Sequence, residues 1–379
     1  MTDRYLGLPL EFWQPGFLGM PYPIWTVTFA ALGLIVGSFL NVVIHRMPLG
    51  LSVVMPPSHC PNCQTRIPLR FNLPILSWLM LRGRCAFCRT SISPRYLLVE
   101  AFTGAVFLST WLMFGREEPW VAVALCILFS GFIAATFIDL EHLIIPDEIT
   151  LGGTVVGFLL STAIPALQHS DGTLDAMKQS GLGIAVGAGI VYAVLRGGKL
   201  VFGRQRIDLP ANSRIRFHEN GMVLPDGETP YEEVFYRPSD AVRLFAHRLE
   251  LADRCYWNQP VELRLAAQPA TLRVGSEDFS AEAEPYMVAD ADRIELPREA
   301  MGLGDVKFMA AIGAFLGWQA TIFSLLFSSV IGTVVAVVLI LTGRQTLSGR
   351  VGYGPYIAAA AMTWVFGGRE FVRRWLMGQ

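Results

Sequence analysis

The stretch VAVALCILFSGFIAATFIDLEHLIIPDEIT, residues 121–150, decides how this chain folds. Eighteen consecutive residues from Val121 to Ile138 carry no charge, and Asp139 closes the run. A helix of that length crosses the hydrocarbon core of a bilayer. Pro146 disfavours helix at Ile145, so the helix ends near there and Asp139 falls in its last turns, at the membrane edge. An ionisable group in such a place is costly and marks a pathway or an active site.

Outward from this stretch the chain stays apolar: 53% of its 379 residues are hydrophobic and 16% are charged, too greasy for an ordinary soluble protein. Apolar runs cover residues 24–44, 96–114, 120–138, 149–164, 181–202, 306–315, 322–341 and 353–366. The expected fold is an all-α polytopic membrane protein with about eight transmembrane helices. The sixth run is short and merges into Gly317-Trp318. The first is no cleaved signal, since no basic stretch precedes it and His45-Arg46 follows it. No internal repeat or low-complexity tract is visible.

Arginines in short loops set the orientation. Residues 45–95 contain seven arginines and no acid, which assigns the segment to the cytoplasm. Residues 115–119, with two acids and one base, suit the outside. Alternation then puts Asp139, the segment 203–302, Asp305 and the loop 343–350 at the cytoplasmic face. Under eight crossings the tail arginines Arg369, Arg373 and Arg374 fall outside, against the rule. A re-entrant span or an exceptional short tail would each account for them. The net charge of −1 speaks against a nucleic-acid partner.

Cys60-Pro61-Asn62-Cys63 and Cys85-Ala86-Phe87-Cys88 are CxxC knuckles separated by 21 residues. Two such knuckles complete a tetrahedral four-sulfur Zn2+ site, structural because no position stays open. A reducing cytoplasm disfavours the alternative of two disulfides. The expected metal ligands are therefore Cys60, Cys63, Cys85 and Cys88. Cys126, in a span, and Cys255, in a soluble segment, read as packing residues.

Asp305 opens an apolar run directly after Gly302-Leu303-Gly304. Alone it would read as a helix N-cap. The flanking glycines let backbone approach closely or leave helical geometry, and irregular backbone at membrane depth is tolerated only where it lines protein or a cavity. GxGD thus reads as an intramembrane carboxylate site. Asp139 and Asp305, if they meet, share one proton, which is the chemistry of an aspartic peptidase. Asp147, between Pro146 and a new apolar run, reads as a cap. His142 shares a helical face with Asp139 and otherwise reads as a surface residue. Glu100, four residues into a span, reads as a partner of Arg95.

Residues 204–300 contain no span and alternate in polarity at Ser213-Arg214-Ile215-Arg216-Phe217, Val261-Glu262-Leu263-Arg264-Leu265 and Arg293-Ile294-Glu295-Leu296. Alternation reads as half-buried strands, and 239–251 reads as a helix. Entering directly before Asp305, the insert is either a cover over the acids or a decoration tolerated in a loop. The expected division is 1–44, tail and first span; 45–95, cysteine loop; 96–203, spans carrying Asp139; 204–300, a small β-rich cytoplasmic insert; and 301–379, GxGD and the last spans.

Several motifs, in order, resemble those of bacterial prepilin peptidases, the type IV leader peptidases of the GxGD intramembrane aspartic protease family. They are Gly37-Ser38-Phe39-Leu40-Asn41 with His45-Arg46-Met47-Pro48, the four-cysteine loop with Leu81-Arg82-Gly83-Arg84-Cys85, and Ser93-Pro94-Arg95-Tyr96 running to Glu100. Phe137-Ile138-Asp139, Ile145-Pro146-Asp147, Gly302-Leu303-Gly304-Asp305-Val306-Lys307 and Gly352-Tyr353-Gly354-Pro355 complete the set. The resemblance implies a bacterial inner-membrane enzyme working at the cytoplasmic face. It implies cleavage of the basic leader of prepilins and pseudopilins, then N-methylation of the new amino terminus with S-adenosylmethionine. The family's catalytic aspartates map onto Asp139 and Asp305. A Gly-Lys pair associated with methylation maps onto Gly83 and Arg84, where arginine keeps the charge but not the geometry. Prepilin and the lipid bilayer are the partners implied, and homo-oligomerisation stays open. The alternatives are a peptidase without methyl transfer, a proton- or cation-coupled transporter, which would want acids at mid-membrane, and a non-catalytic component of the pilus or secretion machine, against which the intact Asp139 and Asp305 argue.

Overall fold

The computed structural model of the protein describes residues 4–5, 8–9, 13–202, 204–218, 220–225, 227–231, 234–235, 240–265, 269–281, 284, 286–297, 302–342 and 352–377. The loop expected at 343–350 lies outside them. The chain divides into two compact units, residues 1–192 with 303–379, and residues 193–302.

The first unit opens with two short antiparallel strands, β1 (Arg4–Tyr5) and β2 (Leu8–Pro9). It continues as α1 (Tyr22–Arg46), the five-residue α2 (Leu76–Met80), α3 (Pro94–Phe114), α4 (Pro119–His142), α5 (Asp147–Ala163) and α6 (Thr173–Phe202), whose residues from 193 on count with the second unit. After the second unit come α7 (Leu303–Leu341), α8 (Gly354–Thr363) and α9 (Arg369–Met377). Among the described residues five helices are long and apolar enough to cross a bilayer: Tyr22–Leu49, Pro94–Phe114, Pro119–His142, Thr173–Gly197 and Leu303–Leu341. A mostly helical unit with five such helices is that of a polytopic membrane protein.

At 39 residues α7 would be about 58 Å long, roughly twice the hydrocarbon thickness. It is broken at Gly317, where φ is 78° and ψ 176°. The carbonyls freed there are satisfied by side chains from two other elements and the loop between them. Ser161 Oγ donates to Ala314 O at 2.7 Å, Ser180 Oγ to the same oxygen at 2.8 Å, and Gln168 Nε2 to Ala314 O and Phe315 O at 2.9 and 3.1 Å. Irregular backbone inside a membrane protein persists when its polar groups are met in this way. The chain turns back at this break: a Cβ on Gly187 of α6 would lie 2.4 Å from Met309 O and 3.1 Å from Thr321 Cγ2, atoms that one straight helix would hold about 18 Å apart. The apolar runs at 306–315 and 322–341 are therefore two separate helical segments. Small residues bring helices close elsewhere: a Cβ on Gly37 of α1 would lie 2.7 Å from the Cα of Glu100 on α3.

The second unit is an eight-stranded antiparallel sheet in the order β5-β4-β3-β10-β6-β7-β8-β9. The strands are β3 (Arg204–Phe217), β4 (Gly221–Leu224), β5 (Gly227–Pro230), β6 (Val242–Leu251), β7 (Cys255–Arg264), β8 (Thr271–Val274), β9 (Glu277–Ser280) and β10 (Met287–Pro297). All three stretches read as strands from alternation are strands, apart from Leu265, which lies just beyond β7. The helix expected at 239–251 is instead strand from Val242 onward, β6; Asp240 and Ala241 lie just outside it, and Ser239 is not described. There Val242, Leu244, Ala246, Leu249 and Leu251 are buried in a largely alternating pattern. They join Ile215, Met222, Leu272 and Ile294 in one core, and pairing on both edges overrides the helical preference of a run rich in Ala, Arg and Leu.

The sheet also contains the repeat that the sequence does not display. Its two four-stranded halves meet at β10 and β6, where Ile294 pairs with Leu244 and Ala289 with Leu249, a register related by a two-fold. The outer hairpins match as well, closing Leu224 on Gly227 and Val274 on Glu277. Asn212 on β3 and Asn258 on β7 both adopt positive φ, 56° and 50°. In sequence the trace is slight: Arg248-Leu249-Glu250-Leu251 against Arg293-Ile294-Glu295-Leu296.

Candidate active site and metal centre

α4 ends as its sequence foretells. Leu143 takes a left-handed conformation (φ 55°, ψ 31°) and its N–H bonds back to Asp139 O, so Asp139 stands in the last turn. The side chain is buried, and Oδ2 accepts the N–H of Gly354 at 2.8 Å. His142 is exposed. Asp305 lies in the first turn of α7, also buried, and inside the helix rather than at its cap. Gly304 keeps helical backbone, and its bare Cα faces Ile145: a Cβ there would lie 3.5 Å from Ile145 Cβ.

Three contacts bring the two acid-bearing segments to one end of the bundle. Ile145 touches the Gly304 position and, through Cδ1, the Gly354 position beside Asp139. The rings of Phe132 on α4 and Phe308 on α7 pack edge to face, 5.4 Å between centroids. Phe132 is two turns before Asp139 and Phe308 one turn after Asp305, so each acid shares the face of its ring. Lys307 Nζ donates to Asp147 Oδ1 at 2.6 Å, tying the start of α7 to the start of α5. This corrects the reading of Asp147 as a cap: Pro146 holds the N-cap position, and the Asp147 carboxylate is turned to Lys307.

Glu100 is likewise not the partner of Arg95. It is buried and accepts the N–H of Ile75 at 2.7 Å, anchoring the cysteine loop to α3. Ile75 is held there at φ 60°, a region that a β-branched residue rarely enters. Arg95 pairs with Glu141 at the end of α4, so the cysteine loop leaves the bundle from the end that carries the acids.

In that loop the two knuckles repeat one bonding pattern. Cys60 N bonds Thr65 O and Gln64 N bonds Cys60 O; Cys85 N bonds Thr90 O and Arg89 N bonds Cys85 O. The four sulfurs lie within 4.8 Å of one another, with Cys60 and Cys88 at 3.7 Å. Ligands about 2.3 Å from a tetrahedral ion stand about 3.8 Å apart, so the cluster could hold a metal. Its electrostatics agree. Hydrogen bonds from the side chain and backbone of Thr90, and from Asn62, draw the Cys88 thiol down to about 5, and Thr65 lowers Cys63 in the same way. Backbone bonds from Cys63 pull Cys60 down, but burial and the neighbouring thiols win and push it up to about 11. Crowded sulfurs of which only some ionise readily suit a cation. Gly83 adopts φ 66°, and a Cβ on it would strike the Trp78 ring at 2.8 Å. Arg84 bridges to Ser91. Cys126 is buried as expected, whereas Cys255 is exposed.

Family models match on both sides of the sheet: the bacterial peptidase A24 N-terminal domain over residues 31–114, and the type IV leader peptidase family over 126–207 and 293–337. A Dickeya chrysanthemi protein named prepilin leader peptidase/N-methyltransferase is 31% identical over 207 residues, 48% of this chain and 70% of its own. The chain belongs to the type IV leader peptidase family. A Myxococcus xanthus protein of the same name is 40% identical over 173 residues, 46% of this chain. An Escherichia coli type 4 prepilin-like proteins leader peptide-processing enzyme is 44% identical over 149 residues, 35% of this chain. The chain spans about half the length of these two relatives, 48% and 55%. An Aeromonas hydrophila prepilin leader peptidase/N-methyltransferase aligns at 27% over 95% of this chain and 96% of its own. No solved structure matches. Family motifs missed as interactions by sequence reasoning are Lys307 and the Gly352–Gly354 pair. Only their place in the motif order signalled them, not what they touch.

Proposed function

We propose that this protein is a membrane aspartic endopeptidase that removes the leader of prepilins and pseudopilins and N-methylates the exposed amino terminus. The observation that carries the peptidase reading is the convergence of buried Asp139 and Asp305 through Ile145 and the Phe132–Phe308 contact. Two carboxyls near one another in a poorly solvated site do not both ionise cheaply, so they titrate as a pair. The ionised member takes a proton from the attacking water, while the protonated member gives one to the scissile carbonyl oxygen. The arginine-rich, acid-free loop 45–95 supports a cytoplasmic orientation for this end of the bundle, in a bacterial inner membrane crossed about eight times.

Zn2+ fits the four sulfurs. Cys60, Cys63, Cys85 and Cys88 would fill its coordination, so it would cross-link the knuckles and leave no open position for chemistry. S-adenosylmethionine is the methyl donor that the relatives' names imply. Gly83 and Arg84 are our assignments for the methyl-transfer region. Gly83 is explained by packing on Trp78 and Arg84 by its bridge to Ser91; neither makes a cradle for a nucleoside sulfonium. Methyl transfer is therefore assigned to the cysteine loop as a whole.

Mass spectrometry of a co-expressed prepilin tests both activities together. Wild type should yield a shortened, methylated pilin. Asp139→Asn and Asp305→Asn should each leave the leader attached, and the double variant should be no worse than either single one. Cleavage surviving in either single variant sinks the dyad.

A further inference from the structure

The motif Gly352-Tyr353-Gly354-Pro355 has a place in the structure that the dyad alone does not explain. Gly354, the first residue of α8, donates its N–H to Asp139 Oδ2 at 2.8 Å across 215 residues of chain. No side chain fits between them. A Cβ on Gly354 would stand 2.9 Å from Oδ2 and 3.1 Å from Ile145 Cδ1, and one on Gly352 would clash at 2.4 Å from Oδ2 and 2.8 Å from Cγ of Asp139. The segment is anchored from behind: the Tyr353 hydroxyl is hydrogen-bonded to Ser328 Oγ and Ser329 Oγ of α7 at 3.1 and 2.9 Å. Asp305 precedes the break at Gly317 and Ser328 and Ser329 follow it, so the second acid and the mount for the wall facing the first sit on the two halves of α7.

We infer that Gly352 and Gly354 are positioning residues of the dyad, forming a backbone wall that fixes Oδ2 of Asp139. With Oδ2 held by a main-chain amide, Oδ1 is the oxygen left to face water and substrate. The glycines are required because the carboxylate occupies the space a Cβ would take. Reacting groups displaced by about 1 Å lose on the order of 10²-fold in rate, so pushing the carboxylate aside acts on turnover. This inference rests on the dyad reading and adds a third segment to it.

The test is steady-state cleavage of a purified prepilin by the full chain in proteoliposomes, with kcat and KM read separately. Methylation of a pre-cleaved pilin serves as the check that each variant is folded. Gly352→Ala should lower kcat about 100-fold with KM within about twofold of wild type and methylation retained. Gly354→Ala should lower kcat about tenfold. Alanine is the better helix former at Gly354, so this variant keeps the fold while losing rate, an outcome that a merely structural glycine would not give. Wild-type kcat in a folded Gly352→Ala variant overturns the inference. If Gly352→Ala does not fold, wild-type kcat in Gly354→Ala overturns it instead. Asp139→Asn measured alongside separates the layers: if it cleaves, the dyad reading fails; if it is dead while both glycine variants run at wild-type rate, only the wall fails.

Discussion

The helical unit and the sheet unit treat charge in opposite ways. Among the helices the buried acids Asp139, Asp305 and Glu100 are few; Asp139 accepts the Gly354 N–H, and Glu100 accepts the Ile75 N–H and is also hydrogen-bonded to the Ser38 side chain. On the outer face of the sheet charges are numerous and exposed, as in the pairs Arg206–Glu295, Arg214–Asp290 and Arg273–Asp278. A buried acid that loses its donor has no water to turn to. An exposed one simply resolvates. Position therefore carries information for the buried acids of the first unit and little for the charges on the outer face of the sheet.

Metal removal should give the largest of the effects that probe this contrast. Closed four-sulfur sites fold their loops rather than react, so Cys88→Ser, or chelation of the wild type, should unfold the loop around α2 and abolish methylation. Cleavage should persist. Metal analysis together with mass spectrometry of the pilin checks it: near-zero zinc in a wild type with four free thiols would remove the metal site. Loss of both activities in a folded variant would show that they are not separable.

Glu100 is the next sharpest probe. Glu100→Leu leaves the Ile75 N–H buried without an acceptor, at a cost of about 1–3 kcal/mol, and frees a residue held at strained positive φ. Hydrogen exchange should rise at 73–80 and methylation should fall. Glu100→Gln keeps an acceptor and should behave like wild type. Equal behaviour of the two variants would mean that the bond does not hold the loop.

These cases show what was legible in the sequence and why. The cysteine knuckles and the two aspartates stand out because each breaks a local rule: four thiols in a short loop, and acids at the ends of uncharged runs. Their surroundings are made by tertiary packing, so neither the Gly354 amide at Asp139 nor the Ile75 amide at Glu100 could be read from neighbours in sequence. Sequence distance alone points Glu100 to Arg95, whereas its acceptor role for Ile75 is set by tertiary packing. Ala, Arg and Leu in β6 favour a helix locally, whereas the partners that make it a strand lie on β7 and β10. The repeat was hidden because what it preserves is register and turn geometry, not side-chain identity.

The sheet can be tested as an independent element. Ile294 is fully buried in its core, and Ile294→Ala should destabilise that unit by about 2–5 kcal/mol. Replacing 204–300 with a flexible linker should leave cleavage of at least one prepilin measurable, since loop length carries a modest entropic cost. A folded deletion that is wholly inactive would make the insert part of the active site.

The smallest effect should come from the sheet's own charges, and Glu262 is the instructive case. Burial works against its ionisation, but bonds from Arg243 and Arg264 outweigh that and hold its carboxyl below the usual range. Two arginines share one acceptor, with Arg243 Nη2 at 3.1 Å and Arg264 Nε at 2.7 Å from Glu262 Oε1. Arg243→Ala therefore leaves this half-buried Glu262 still partnered by Arg264, and the cost should stay within about 1 kcal/mol, falling further in high salt. The pH dependence follows from the lowered carboxyl: the contribution is complete above the unfolded value near 4.5 and is lost as pH falls through the lower folded value. Denaturant melts of wild type, Arg243→Ala, Arg264→Ala and the double variant measure it. Only the double variant should shift the midpoint clearly, and only above about pH 4.5. A loss of several kcal/mol from Arg243→Ala alone would place a buried, position-specific charge in the sheet and erase the contrast between the two units.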